Sequence, residues 1–193
     1  HAVMQTCGRV FRYGIAIGKA EHDITADLRG ALAPHKAKHF ASITDPRQVG
    51  QLLRAIDGYP GDFATACALK IAPLVFVRPS ELRCAVWTEF DLPAAEWRIP
   101  AERMKMAEQH IVPLSRQAVE ILRELHSFSG SERYVFPGWS KPDPHMPKGT
   151  LVVALRRMGY TKEQMTFHGF RSMAATLLHE QGSNRAWTER PPA

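Results

Sequence analysis

Four side chains of this sequence have the types and spacing to handle a phosphate. Arg78 stands in Val77-Arg78-Pro79-Ser80-Glu81-Leu82, where a proline at a first helical turn marks a helix start. Unpaired backbone N–H groups at such a start favour an anion, and a guanidinium beside them grips two phosphate oxygens at once. Glu81, three residues on, is spaced to hold that arginine in place. The bland alternative is a surface ion pair worth little. His168 and Arg171 lie in Thr166-Phe-His-Gly-Phe-Arg171, the only His-x-x-Arg among nine histidines. At i, i+3 they share one helix face, while Phe170, Met173, Ala174, Leu177 and Leu178 form an apolar stripe that turns to a core. Histidine moves protons near neutral pH and arginine holds the anion. The plain alternative is a histidine bonded to backbone beside a solvated arginine. Lys105 sits in a polar loop between two strand-like runs, where a lysine can protonate a departing oxygen, although most loop lysines are simply solvated.

The sequence shows no Walker loop, dinucleotide glycine turn or Ser-His-Asp arrangement. Cys7, Cys67 and Cys84 fit no metal-ligand spacing. His35 and His39 are an i, i+4 pair without an acidic or cysteine partner, so a solvated basic strap fits them better than a metal. Phosphate chemistry here would rest on Arg, Lys and His, with no metal and no cofactor. The net charge of +6 and a pI of about 9.5 favour a polyanionic partner, because each phosphate neutralised releases a counterion. The odd number of cysteines, with no bilayer-length apolar run and no signal peptide, suits a reducing, cytoplasmic setting and no membrane partner.

The elements that position these groups can be read from periodicity. Residues 1 to about 20 predict a helix with Val3, Cys7, Val10, Phe11, Gly14 and Ile17 along one stripe, and a short turn follows near Thr25 to Leu32. A basic linker, 33–44, carries Lys36 and Lys38. The main domain is expected over 45–182. Thr44-Asp-Pro46 announces a helix with Val49, Leu52, Leu53 and Ile56 at helical spacing. Phe63 to Val77 reads as a core helix, and Ser80 to Trp87 as another. Glu96 to Pro100 and His110 to Leu114 read as two strands, with Phe90 to Leu92 a candidate third. Ala118, Ile121, Leu122 and Leu125, then Leu151, Ala154, Leu155 and Met158, define two more helices. Arg133 to Phe136 is a short extended piece, and a last helix runs from about His168 to Gln181. The fold class is α+β, mostly helical, with a small antiparallel sheet. Residues 183–193 are expected to be a divergent or disordered tail.

In this order and context, Arg78 with Glu81-Leu82, Lys105 ahead of Val112-Pro-Leu114, and His168 with Arg171 resemble the tyrosine recombinase family. Phe76-Val-Arg-Pro79 and Trp97-Arg-Ile-Pro-Ala-Glu-Arg-Met-Lys105 are similar to prophage and genomic-island integrases in particular. The resemblance extends to about Gln181 and implies a tyrosine-recombinase catalytic core. Residues 1–32 would then be the last helices of a DNA-clamping core-binding domain. It implies site-specific DNA integration and excision on double-stranded DNA, without ATP or metal. The two arginines would hold the scissile phosphate, Lys105 would act as general acid and His168 would assist proton transfer. Lys36, Lys38, Arg103 and Lys105 are the expected DNA contacts.

The family places a second histidine or tryptophan, and then the nucleophilic tyrosine, beyond the His-x-x-Arg helix. Tyr13, Tyr59, Tyr134 and Tyr160 all precede it, and His179 and Trp187 come too early for the second histidine's place. His1 in place of Met points to a piece of a longer protein. The expectation is therefore a catalytic region cut short before its nucleophile, monomeric alone although the family acts as tetramers, binding DNA without cleaving it. The alternatives are a non-catalytic module that occupies or regulates a recombination site, and a helical protein that is basic by chance. Clustering of Arg78, Lys105, His168 and Arg171 in one pocket would dismiss the last.

Overall fold

A computed structural model describes residues 2–28, 30–31, 41–104, 107–138 and 145–180. The chain divides into two compact units, 1–39 and 40–193.

In the first unit, helix α1 (Ala2–Ala16) is followed by turns that Asp23 organises. Its carboxylate accepts from the Thr25 N–H at 3.0 Å and from the Thr25 hydroxyl at 2.6 Å, and pairs with Arg12 at 2.9 Å. The predicted apolar stripe of α1 is not buried within this unit. Val3 is 76% and Val10 63% exposed, and Gly8 is the buried position of the helix. A lone helix and a turn have no second layer to cover such a face.

The second unit is built around α3 (Phe63–Val75), which packs against α2 (Pro46–Asp57), α4 (Pro79–Arg83), α5 (Arg116–Ser129), α6 (Thr150–Arg157) and α7 (Gly169–Glu180). Asp45 caps α2 by accepting from the Gln48 N–H, with Pro46 in the first turn. Asp62 caps α3 and Ser115 caps α5 in the same manner, each satisfying a donor that the helix start leaves unpaired. Val49, Leu52 and Ile56 are buried on α2, but Leu53 lies on the outer side, 38% exposed. α3 is buried nearly all round, through Cys67, Ala68, Leu69, Ile71 and Ala72. Burial pushes the Cys67 thiol up to about 11, which leaves it protonated and inert at neutral pH.

Two helices are shorter than their patterns suggest. α3 stops at Val75 because Phe76 turns left-handed, with φ 52°. α4 stops at Arg83 because the chain beyond it pairs with the 133–135 segment: Val135 N–H donates to the Ala85 carbonyl and Trp87 N–H to the Arg133 carbonyl. Trp87, predicted as the end of that helix, instead opens a 3-10 turn, Trp87–Glu89. The sheet has three antiparallel strands in the order β1 (Phe90–Asp91), β2 (Glu96–Ile99), β3 (His110–Pro113). Trp97 pairs with Val112, and Ile99 with His110. Trp97 and Ile99 are fully buried and Val112 nearly so, whereas Ile111 is 51% exposed. One sheet face therefore closes the core. Among the described residues, no helix is long and apolar enough to cross a membrane.

Leu69 is fully buried on the central helix. Leu69→Ala should cost about 2–5 kcal/mol of unfolding free energy by denaturant titration, the usual range for such a cavity. A loss under about 1 kcal/mol would show that α3 is not the packing centre.

Candidate phosphate-binding site

Arg78 occupies the residue ahead of α4, in extended backbone conformation with φ −70° and ψ 151°. The left-handed turn at Phe76 delivers the chain to it. Glu81 then clasps Arg78 twice. One carboxylate oxygen accepts from the Arg78 backbone N–H at 2.7 Å and the other from Nη1 at 2.7 Å. The Glu81 side chain is 5% exposed and that of Arg78 25%, so this is not the solvated pair of the bland reading. A carboxylate so far from water is costly unless its oxygens are met by donors. α4 has only five residues, so the anion affinity of this corner comes from the arginine and not from a long helix dipole.

His168 and Arg171 come from the start of α7. The Thr166 hydroxyl oxygen accepts from the Gly169 N–H at 3.0 Å, while the Thr166 N–H and hydroxyl both donate to the Ala41 carbonyl, at 3.0 and 3.2 Å. This docking needs glycine at 169: a Cβ there would stand 2.4 Å from the Ala41 carbonyl oxygen. Phe170, Met173 and Ala174 bury the opposite face, whereas Arg171 is exposed and His168 half-buried. Burial of the imidazole, then the charges of Arg171 and Arg78, hold His168 below the usual histidine range. The charges of Arg78 and Arg171 thus both reach His168, although Arg78 and Arg171 come from segments some ninety residues apart in sequence.

Lys105, Lys36 and Lys38 lie outside the described residues. Arg103, expected to contact DNA, is placed facing inward. Nη2 donates to the Glu81 carbonyl at 2.7 Å, and Nη1 pairs with Glu89. Glu89, itself 7% exposed, also accepts from the Trp97 indole N–H at 2.9 Å. Arg103 thereby ties the chain leaving β2 to the helix start that carries Arg78. Nothing in the spacing of Glu89 and Arg103 signals that bond, because it forms across the fold.

Sequence reasoning also passed over His110, which opens β3. Burial lowers its pKa; Glu81 opposes that by raising it, and Arg171 and Arg78 push it down again. His110 therefore feels the charge of both Arg78 and Arg171. The signal was in the alternation of His110, Val112 and Leu114, which shares one face of the strand.

A three-stranded sheet set on a helical core, with two arginines and a histidine gathered at one corner, is the architecture of the tyrosine-recombinase catalytic domain. The sequence profile of the phage integrase family matches residues 42–188, and the chain belongs to that family. It is 39% identical to the integrase of Enterobacteria phage P4, over 93% of this chain and 44% of that protein. It is 35% identical to the putative protein IntB of Escherichia coli strain K12, over 93% of this chain and 48% of that one. The chain thus spans about half the length of the curated relatives it matches. Two solved structures share the fold. A lambda integrase dimer bound to a COC′ core site aligns with a TM-score of 0.68 at 19% identity, over 98% of this chain and 54% of that one. The Tn1549 transposon integrase in complex with circular intermediate DNA aligns with a TM-score of 0.71 at 13% identity, over 97% and 68%.

Gly169→Ala tests the docking of α7. A methyl pressed on a backbone carbonyl should lower stability by about 1–3 kcal/mol, despite the better helix propensity of alanine, and should shift the His168 ring resonances. An unchanged or raised melting temperature would show that α7 does not approach Ala41 so closely.

Proposed function

We propose that this chain is the DNA-handling part of a tyrosine recombinase for site-specific integration and excision, gripping a phosphodiester of duplex DNA between Arg78 and Arg171. The observation that carries this reading is the shared electrostatic neighbourhood of Arg78, Arg171 and His168, in a family whose P4 member is named an integrase. Two guanidinium groups around one phosphate would neutralise its charge and offset the further charge that develops on phosphorus during attack. Glu81 orients Arg78 for that task, since its two hydrogen bonds fix both the backbone and the side chain. His168, neutral near pH 7, is suited to accept or return a proton beside the bound phosphate. Lys105 is proposed as the general acid toward the leaving oxygen, and Lys36 and Lys38 as backbone contacts. The domain division proposed is 1–32 for the end of a core-binding domain, 33–44 for the linker and 45–182 for the catalytic region. Alone, the chain is taken to be a monomer; a lambda integrase has been solved as a tetramer bound to a Holliday junction.

The nucleophile is proposed to lie outside this set of residues, because none of the four tyrosines follows the His168–Arg171 helix. Burial raises the pKa of Tyr160, which is the reverse of what an activated phenol needs.

Duplex affinity measured across a salt series should fall steeply for the wild-type chain. Arg78→Ala/Arg171→Ala should weaken binding and make the slope shallower by about 2, one for each guanidinium withdrawn from the phosphates. Binding indifferent to both arginines would overturn the assignment of this pocket. A nicked duplex that traps covalent intermediates should give no protein–DNA band, and a covalent band would place a working nucleophile within these residues.

A further inference from the structure

The strand side of the pocket holds a group that the integrase reading has not used. In an antiparallel pair, directly opposed residues project from the same face. The β2–β3 register sets His110 opposite Ile99 and Val112 opposite Trp97, and Ile99, Trp97 and Val112 all face the core. His110 therefore lies on the core-facing side of the sheet, at its end. It is nonetheless exposed, since the apolar core stops there. At the same end, Arg103 binds the Glu81 carbonyl, so the sheet is joined directly to the corner that presents Arg78. A surface histidine on the outer face would sit with Arg98 and Ile111 instead.

We propose that His110 is a phosphate-contacting residue of this site, a hydrogen-bond donor from the sheet that complements His168 on the helix side. The inference rests on the pocket holding a DNA phosphate, as argued above. The charged groups facing His110 are Arg78 and Glu81 at α4 and Arg171 on α7; His168 shares the same two arginines. In the free protein, desolvation of the part of the ring turned to the sheet lowers the His110 pKa, Glu81 raises it, and the Arg171 and Arg78 guanidinium groups lower it again, so the net direction favours the neutral imidazole. A phosphate seated between the arginines cancels their repulsion and adds an anion, so the imidazole takes up a proton and donates to a phosphate oxygen. Binding must then tighten as pH falls through the histidine range.

The test is duplex affinity of the whole chain at about pH 5.5 and about pH 8, on either side of the ordinary histidine pKa. His110→Gln should lose about tenfold at the lower pH, as expected for one charge-assisted hydrogen bond, and little at the higher. His110→Lys keeps a cation at both values, so it should retain affinity and flatten the pH dependence. In a His168→Gln background, the pH dependence that remains should vanish when His110→Gln is added. The His110 C2 proton resonance should move downfield when duplex is added near neutral pH. The inference is overturned if His110→Gln follows the wild type at both pH values and that resonance stays still. Arg78→Ala/Arg171→Ala separates the two failures. Should the arginine variant lose affinity while His110→Gln does not, only the role of His110 falls. Should neither variant matter, the phosphate pocket falls with it.

Discussion

A carboxylate taken out of water must be surrounded by donors, and Glu81 sits almost wholly out of water. Its two oxygens are met by the backbone and the guanidinium of Arg78, and its carbonyl by Arg103. Arg103 is in turn held by Glu89, whose other oxygen takes the indole N–H of Trp97, the fully buried residue of the central strand. These bonds form one run from the sheet, through the segment that leaves it, to the helix start bearing Arg78. Removing any charge from such a run would strand its partner in a poorly solvated place. That makes the relative placement of sheet and helix an electrostatic requirement, and not only a matter of apolar packing.

The helix side of the pocket is held by different physics. α7 is positioned by apolar residues on its inner face and by a close backbone approach at its start, where Gly169 leaves room for the Ala41 carbonyl and Thr166 satisfies the donors. His168 and Arg171 are thus set by a helix that has little freedom to roll, while Arg78 is set by hydrogen bonds. Arg78 is preorganised by Glu81, and such preorganisation is what lets a charge act without reorganisation. The lowered pKa of His168 follows first from burial of its ring and then from the charges of Arg171 and Arg78.

Much of the local structure was legible in the chain. The cap and proline at Thr44-Asp45-Pro46, the proline that opens α4, the apolar all-round pattern of α3 and the two alternating strands follow from spacing alone. The misses have particular causes. Phe76 ends α3 by adopting a conformation that favours glycine, which no propensity would assign to phenylalanine. α4 is cut short because the residues after it pair with a segment nearly fifty positions away. Leu53 fits the helical period yet falls just outside the covered stripe. Val3 and Val10 form a good stripe on paper, but within its own unit α1 has nothing to pack it against.

The sequence by itself determined which groups are available for phosphate chemistry: Arg78 with Glu81, His168 with Arg171, and Lys105 in its loop, each tied to a local element by short-range spacing. Tertiary structure alone decided which of them meet. It tied Arg103, an expected DNA contact, to the Glu81 carbonyl and to Glu89, and set His110 on the core-facing side of the sheet. The reason is that helical and strand periodicities specify a face within an element, whereas a pocket is an agreement among faces of several elements. That agreement is reached only when the core closes and each buried charge has found its partner.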